Sequence, residues 1–492
     1  MAEQPHIPHR TTGSVILHPV SELFGVPLEQ VNFLACQLFG LVAAFWFRLY
    51  LSPKHASTTV RHAVATLLGI CFVIFCFGWY SAHLFILVLG CYGIMVKANI
   101  HNVHRYSLIV AMGYLTLCQV SRVYIFNYGI LSTDFSGPLM IITQKITSLA
   151  FQVHDGMCRK EEELATEQRR LAIKSKPCLL EYLSYQLNFL SVLAGPCSNY
   201  RDYFDFIEGS HVQKRLLQAN GKHKGSNRLA EPSPDGAVLS KLLVCAVCLI
   251  LFLSLTKALP ISYNVDVQFI SEAPFLSRLT YAFFSIQAAR PKFYFAWTLA
   301  DAINNAAGYG FRGVDENGHY AWDFISNLNI WKIETATSFK MFIDNWNIQT
   351  GAWLKRVCYE RAPFYPTALT FVLSALWHGV YPGYYFTFIT AIPITIAARL
   401  VRKTCRKYFL HSSTVKGMYD IVTWAITQLA VGYTVMPFLL LAVEPTLQYY
   451  RSMYFYFHII TILLAVVSSV KPKSTDQRFY PVPSSNNNVK YN

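Results

Sequence analysis

Long apolar segments, separated by short polar ones, recur along the whole chain. About 20 apolar residues in a helix cross the hydrocarbon of a bilayer, where backbone N–H and C=O groups find no partner outside the helix. The pattern therefore predicts an all-α, polytopic integral membrane protein with about eleven transmembrane helices. The predicted spans are 31–51, 62–80, 84–96, 107–126, 179–194, 237–256, 275–310 (as two or more helices), 367–377, 384–398, 419–443 and 454–470. The shorter, mixed segment 139–153 is predicted to lie in the membrane interface.

Composition agrees with this pattern and sets the domain organisation. Hydrophobic residues make up 53% of the 492 residues and charged residues only 14%, whereas about 25% of an average soluble domain is charged. No stretch has the composition of a separate soluble domain. We therefore predict one membrane domain over residues 1–470, followed by a polar, disordered tail over residues 471–492.

The net charge of +15 comes from short basic clusters beside apolar segments. Such clusters are typical of the cytosolic loops of membrane proteins, so they do not indicate nucleic-acid binding. The densest cluster lies within residues 399–407 and is predicted to be cytosolic, which places the tail in the cytosol as well. Residues 154–176 are predicted to form a charged, helical cytosolic loop, and residues 211–231 a polar linker. Cys245 and Cys248 form a CxxC pair inside a predicted span with no histidine nearby, which argues against a metal site.

Residues 313–365 depart from the rest of the pattern, because they are too polar to span a membrane and too aromatic for a disordered loop. Short amphipathic or re-entrant helices fit this composition. An interfacial belt of tryptophans is the alternative interpretation.

Two residues in and after this segment are candidates for chemistry. His378 ends an apolar run, and a histidine at membrane depth is a functional candidate unless it is a satisfied core residue. A buried, neutral imidazole can accept a proton, and an amide such as Asn347 can orient a hydroxyl or donate to an oxyanion. The pair suits proton removal from an alcohol that attacks an acyl carbonyl. Ser374 lies one helical turn before His378 and is a candidate for support or for simple helix packing.

Several short motifs carry a family resemblance. They are Trp346-Asn347-Ile348-Gln349-Thr350, Leu376-Trp377-His378-Gly379, Tyr381-Pro382-Gly383-Tyr384, Gly195-Pro196-Cys197 and the stretch from Tyr450 to His458. With these motifs the sequence resembles the membrane-bound O-acyltransferase family, in its lysophospholipid branch. Asn347 and His378 match the asparagine and histidine of that family.

The resemblance implies a helical fold around a central chamber in the endoplasmic reticulum membrane. It implies acyl transfer from acyl-CoA, a co-substrate rather than a bound cofactor, to the free glycerol hydroxyl of a lysophospholipid, as in phospholipid remodelling. The expected substrates are oleoyl-CoA with lysophosphatidylethanolamine or lysophosphatidylserine. His378 would be the base and Asn347 would position a reactant, while Lys332 and Lys340 are weak candidates for contacts to the CoA phosphates. The hydropathy pattern alone places His378 beside a lumenal turn, whereas the resemblance places it in the chamber.

Two alternatives stay open. A proton-coupled transporter would use His378 as a relay, but it would require ionisable residues in several spans, and the clear spans hold few beyond Arg122. Acyl transfer to a peptide or protein would use the same fold with another acceptor. The sequence leaves the oligomeric state open.

Overall fold

The computed structural model describes residues 11–125, 134–220, 232–315 and 318–470. The predicted disordered tail at 471–492 and most of the predicted linker at 211–231 lie outside these ranges. The described chain is mostly helical, as predicted. Its one sheet is an antiparallel pair, β1 (Gly313–Val314) and β2 (Tyr320–Ala321), in which Gly313 is paired with Ala321.

Among the residues that the structure describes, the N-terminal half contains ten helices: α1 (His18–Phe24), α2 (Leu28–Tyr50), α3 (Thr58–Phe77), α4 (Ser81–Lys97), α5 (Val103–Val120), α6 (Ser136–Cys158), α7 (Thr166–Leu171), α8 (Leu179–Leu187), α9 (Tyr200–Glu208) and α10 (His211–Asn220). The C-terminal half contains eleven more: α11 (Asp235–Ala258), α12 (Val267–Glu272), α13 (Phe275–Ala306), α14 (Ile330–Glu334), α15 (Phe339–Asn345), α16 (Ile348–Leu354), α17 (Pro366–His378), α18 (Pro382–Cys405), α19 (Ser413–Leu440), α20 (Val443–Ser452) and α21 (Tyr456–Val470). Turns of 3₁₀ helix cover Gly78–Tyr80, Glu161–Glu163, Ile261–Val265 and Arg406–Phe409, and π-helical turns cover Ser121–Ile125 and Lys355–Tyr359.

Five helical segments in the described residues are long and apolar enough to cross a membrane: Leu28–Tyr50, Thr58–Lys97, Asp235–Val265, Pro382–Phe409 and Ser413–Leu440. This finding supports a multi-pass membrane protein, but it does not confirm the predicted count of about eleven spans. The helix α11 shows the lipid-facing character best, because only 17% of its most apolar window is buried inside the protein.

Three sequence predictions need correction. The predicted break at Pro291 is absent, because α13 runs unbroken through that proline for 32 residues. Tight packing of α13 along α11 holds this helix despite the N–H that proline lacks. The predicted span 179–194 is helical only over α8 (Leu179–Leu187) and then turns towards Gly195 and a cis Pro196.

The third correction concerns α6, which the sequence pattern predicts to be an interfacial segment. It is instead a 23-residue helix whose residues from Ile142 to Val153 are all buried. Three of its buried polar side chains have hydrogen-bond partners in other parts of the protein: Gln144 donates to the Thr350 hydroxyl, Lys145 to the Tyr185 carbonyl and Gln152 to the Asn199 side chain. Helix α6 is therefore a buried central helix, and the residues of the site described below pack against it.

The segment 313–365 is confirmed as a set of short helices rather than a span. After the β1–β2 hairpin come α14, α15, α16 and the π-helical turn. Most of its tryptophans belong to the core, since Trp346 packs among aromatic rings and Trp353 is fully buried. Trp331 is the exception at 77% exposed, so an interfacial belt describes only a small part of this segment.

Candidate active site

Asn347 lies on a tight turn immediately before α16. Its backbone is left-handed, with φ 50° and ψ 52°, a conformation that asparagine tolerates better than most residues. The Asn327 carbonyl accepts a hydrogen bond from the Ile348 N–H at 2.7 Å, and the Asn327 side chain accepts one from the Gln349 N–H at 3.1 Å. The Asn347 side-chain amide itself makes no hydrogen bond to any described residue and does not cap α16. The turn is therefore fixed while the amide stays free for a ligand.

An ion pair between Asp301 of α13, which is buried, and Lys241 of α11, which is partly buried, supports this turn. Asp301 accepts a hydrogen bond from Lys241 at 2.6 Å and a short one from the Ser326 hydroxyl. The carbonyl of Ser326 accepts a hydrogen bond from the Gln349 side chain at 3.4 Å. The sequence analysis missed these residues, although a lysine near the start of an apolar helix was a signal for a buried partner.

A second ion pair, in which Arg290 is buried and Glu334 is partly exposed, lies close to Trp346. Arg290 donates a hydrogen bond to Glu334 at 2.9 Å, and its guanidinium lies 5.1 Å from the ring centroid of Phe342. The Phe342 ring stacks on Trp346 with centroids 5.9 Å apart. Tyr294 donates a further, short hydrogen bond to Glu334. Trp346 immediately precedes Asn347, so the ion pair, acting through Phe342, holds the residue from which the turn begins.

His378 is the last residue of α17, and Gly379 ends the helix with φ 143°. Aromatic rings surround its imidazole. Phe388 stacks on it at 5.2 Å between centroids, Phe438 meets it edge-on at 5.0 Å, and Tyr384 lies 5.8 Å away. The ring nitrogens make no hydrogen bond to any residue that the structure describes. The surroundings thus hold the ring in place without occupying its nitrogens, which argues against a satisfied core histidine.

Helix α6 brings the two halves of the site together. Trp377, next to His378, donates a hydrogen bond from its indole nitrogen to the Met140 carbonyl at 3.0 Å. Gln144 donates to the Thr350 hydroxyl at 2.9 Å, so α16 docks one helical turn further along α6. Trp353 donates to the Thr147 hydroxyl at 2.9 Å, and its ring lies 5.8 Å from that of Trp377. The segments that carry Asn347 and His378 therefore contact neighbouring turns of α6, and no hydrogen bond joins the two side chains.

The remaining predicted residues have weaker positions. Ser374 is buried but its hydroxyl makes no hydrogen bond to His378, so packing accounts for it. Lys332 and Lys340 are exposed, and Lys340 forms a short ion pair with Asp344 one turn away. The sequence analysis also missed Gln119, whose side chain donates to the Trp377 carbonyl at 3.3 Å.

Chemically, the arrangement offers a free imidazole among aromatic rings and a free amide on a turn that is anchored to the same helix, α6. An imidazole with unoccupied nitrogens can take a proton from a hydroxyl, and a preorganised amide can donate to a developing oxyanion. Gln144, Thr350 and Trp353 are buried and lie on packed helices, which suits a site of fixed geometry.

Comparison with known proteins agrees with this chemistry. The sequence model of the membrane-bound O-acyltransferase family matches residues 120–439 of this chain. The chain is 64% identical over 481 residues, 97% of both chains, to the human protein "Membrane-bound glycerophospholipid O-acyltransferase 1". It is 55% identical to the chicken protein "Membrane-bound glycerophospholipid O-acyltransferase 2", over 94% of this chain and 89% of that one. It is 40% identical to the Drosophila melanogaster protein "Lysophospholipid acyltransferase 6", over 90% of this chain and 62% of that one.

Proposed function

This chain belongs to the membrane-bound O-acyltransferase family and is an O-acyltransferase, and from that premise we propose that it acylates the free glycerol hydroxyl of a lysophospholipid with an acyl group from acyl-CoA. The names of the relatives support a glycerophospholipid acceptor. Oleoyl-CoA as donor and lysophosphatidylethanolamine or lysophosphatidylserine as acceptors are the finer parts of the proposal. The observation that carries the proposal is that Asn347 and His378 make no side-chain hydrogen bonds to the described residues. The two segments on which they lie are both anchored to α6.

In the proposed reaction, a ring nitrogen of His378 accepts the proton of the glycerol hydroxyl as the oxygen attacks the thioester carbonyl. The carbonyl electrons move to oxygen, and the Asn347 amide either donates a hydrogen bond to that oxyanion or positions the hydroxyl. When the tetrahedral intermediate collapses, the carbon–sulfur bond breaks. The CoA sulfur leaves as thiolate and takes up the proton from His378, so the imidazole is neutral again and an ester has formed.

The apolar enclosure supports this role in two ways. It excludes water, which would otherwise hydrolyse the thioester, and it strengthens hydrogen bonds to developing charge. Direct transfer needs no acylated enzyme, so single-displacement kinetics are expected. Trapping an acyl group on Ser374 or on a cysteine would contradict this scheme.

The test is acyl transfer from oleoyl-CoA to the two lysolipids in proteoliposomes, comparing the wild type with His378→Ala and His378→Gln. Loss of product from variants that keep the wild-type melting temperature and still bind acyl-CoA supports the proposal. Unchanged turnover in both variants overturns the role of His378. Wild-type transfer to a peptide acceptor but to no lysolipid overturns the proposed acceptor class.

We also infer an endoplasmic reticulum location, with residues 399–407 and the C-terminus in the cytosol. The basic cluster supports this orientation, because lysine and arginine favour cytosolic loops. Single cysteines at positions 403 and 416, labelled with an impermeant reagent in sealed microsomes, test it. Labelling only after the microsomal membrane has been permeabilised would contradict the orientation.

A further inference from the structure

An ion pair between Arg122 and Asp134 lies close to the site and has no part in the chemistry described so far. One terminal nitrogen of Arg122 is 2.5 Å from a carboxylate oxygen of Asp134, and the same nitrogen donates to the Ser136 hydroxyl at 3.1 Å. Both side chains are only partly buried, with 35% and 47% of their surfaces exposed. Arg122 is also the ionisable residue that stands out inside a predicted span, and an ionisable residue at such a position is a functional candidate.

The position of Asp134 is fixed from two sides. Its carboxylate accepts a hydrogen bond from the Ser136 N–H at 2.9 Å and a short one from the Ser136 hydroxyl. The next residue, Phe135, is buried and stacks on the His83 ring with 4.9 Å between centroids. The carboxylate is therefore held in place while part of its surface stays accessible to a ligand.

Helix α6 places this ion pair close to His378. Ser136 contacts both members of the pair, and the carbonyl of Met140 holds Trp377, the neighbour of His378. Ser136 and Met140 are one helical turn apart, so they lie on the same face of α6 with a rise of about 6 Å between them. The ion pair and the imidazole are thus attached to adjacent turns of one buried helix.

A second connection runs through α5 and α18. Gln119, which precedes Arg122 by one helical turn, donates to the Trp377 carbonyl at 3.3 Å. On the other side, the Tyr384 ring lies 5.8 Å from the His378 ring and interacts electrostatically with both members of the ion pair. Tyr384 is therefore a common neighbour of the imidazole and the ion pair.

The charges and the dimensions narrow the ligand. An arginine beside a carboxylate offers a zwitterion one partner for each of its charges, and a guanidinium can bind a phosphate through two parallel hydrogen bonds. In a lysophospholipid about four bonds separate the glycerol hydroxyl oxygen from the phosphorus and about four more reach the nitrogen of ethanolamine, and each interval extends about 5 Å by the dimensions of a polypeptide backbone. A hydroxyl at His378 would therefore place the phosphate about one helical turn away, as the ion pair is placed along α6.

We propose that Arg122 and Asp134 bind the headgroup of the acceptor, Arg122 through the phosphate and Asp134 through a primary ammonium group. The proposal rests on the proposed function, because it takes a lysophospholipid as the acceptor, and it adds the residues that select the headgroup. Ethanolamine and serine headgroups carry both a phosphate and a primary ammonium. A glycerol headgroup carries no cation, and the choline cation has no N–H to donate, so both should be poorer acceptors.

The test compares kcat/KM for lysophosphatidylethanolamine and lysophosphatidylglycerol in proteoliposomes with saturating oleoyl-CoA. Asp134→Asn keeps the shape of the side chain and an acceptor for the Ser136 N–H, but it has no charge to pair with the ammonium. The preference of the wild type for lysophosphatidylethanolamine should fall about tenfold, as expected for the loss of one hydrogen bond between charged groups. The change should lie in the KM for this acceptor, with kcat and the KM for oleoyl-CoA near wild type. An unchanged preference overturns the proposal.

Two further variants separate headgroup binding from folding. Asp134→Glu keeps the charge and should keep most of the preference for lysophosphatidylethanolamine. Arg122→Gln removes the partner of the phosphate, which both acceptors carry, so the KM should rise for both acceptors. A purely structural role would instead lower kcat alike for both acceptors in Asp134→Asn and leave the preference intact, and that result overturns the proposal.

A matched control is Asp420→Asn, because Asp420 forms an ion pair of similar exposure with Lys416 at 2.7 Å, in α19. This control should keep the wild-type KM for both acceptors. A loss of preference equal to that of Asp134→Asn would overturn the proposal by showing a general effect of charge.

Failure of the proposed function gives a different result. A wild type that acylates no lysolipid overturns both the proposed function and the headgroup site. A wild type that acylates lysophosphatidylethanolamine and lysophosphatidylglycerol equally well leaves the proposed function intact and overturns the headgroup site alone.

Discussion

The side-chain amide of Gln144 donates a hydrogen bond to the Thr350 hydroxyl at 2.9 Å, across 206 residues of sequence and inside the buried part of the protein. This bond ties the start of α16, and hence the Asn347 turn, to the helix that also holds Trp377. The geometry of the site therefore depends on residues that contact no reactant.

Replacing Thr350 with valine tests this tie. The two side chains have nearly the same shape, so the change removes the hydroxyl and leaves a buried amide without its partner, at a cost of about 1–3 kcal/mol. The turnover should fall severalfold because Asn347 loses its fixed position, by more than the small loss of folded protein at the assay temperature can explain. The double variant Gln144→Met/Thr350→Val should regain part of the stability, since neither partner is then left unpaired. Equal stability in the single and double variants would argue against the bond.

Asn347 offers a sharper separation of chemistry from folding. Its left-handed backbone favours glycine over alanine, by about 1 kcal/mol. Asn347→Gly should therefore keep wild-type stability and lose most turnover, because only the amide is missing. Asn347→Ala should lose turnover to the same degree and also melt earlier. Measured kcat and melting temperatures for the two variants check this, and substantial activity in Asn347→Gly would remove the amide from the mechanism.

The sequence identified two candidate residues for the chemistry, Asn347 and His378, but not the residues that support them. Asn347 and His378 stand out because each is a polar residue in an unusual local context. Their supports lie far away along the chain, as Gln144 does from Thr350, and a helix pattern carries no information on such pairing. The same limit explains α6, whose polar residues resemble an interfacial segment until their buried partners are known. Pro291 shows the opposite case, where tertiary packing overrides a local break signal.

Arg290 and Glu334 form an ion pair that supports Trp346 through Phe342, and its loss should lower the stability of the protein. Arg290→Met leaves Glu334 without its charged partner, and breaking a buried pair costs about 3 kcal/mol, less where one partner is partly exposed as Glu334 is. Arg290→Met/Glu334→Leu should be more stable than Arg290→Met alone, because no unpaired charge remains. Thermal unfolding of the three proteins measures the difference. A double variant less stable than the single one would show that the hydrogen bond from Tyr294 to Glu334 stabilises the protein more than the unpaired charge destabilises it.

A pH effect is expected at His211, which begins α10 and lies outside the predicted spans. Burial lowers its pKa to about 4, although the hydrogen bond to the Gly308 carbonyl raises it; Arg215 and Arg61 lower the pKa further and Asp205 raises it. Its ring also bonds the Gly308 carbonyl at 2.9 Å. In the unfolded chain the pKa is about 6.5, so between pH 6.5 and 4 the unfolded state binds more protons and stability falls as the pH falls.

This loss should amount to about 2 kcal/mol between pH 7 and pH 5. His211→Gln keeps a donor for the carbonyl and has no titrating ring, so its melting temperature should fall less over that range. Other histidines contribute equally to both proteins and cancel in the comparison. Parallel curves for the two proteins would contradict the prediction.

The contact between α3 and the end of α8 depends on a glycine, Gly69. A Cβ at this position would lie 1.7 Å from the Leu187 carbonyl oxygen, and the Phe189 N–H donates to the Ala65 carbonyl at 3.1 Å beside it, so the two backbones cannot separate without losing that bond. Gly69→Ala should therefore cost about 3 kcal/mol or more, despite the higher helix propensity of alanine. A Cβ at Gly90, in α4, would meet no atom within 4 Å, and Gly90→Ala should leave stability unchanged or raise it slightly. The melting temperatures of both variants in detergent test this prediction. The two substitutions are chemically identical and differ only in the atoms that the added methyl group meets. Equal melting temperatures would mean that α3 and α8 do not pack this closely.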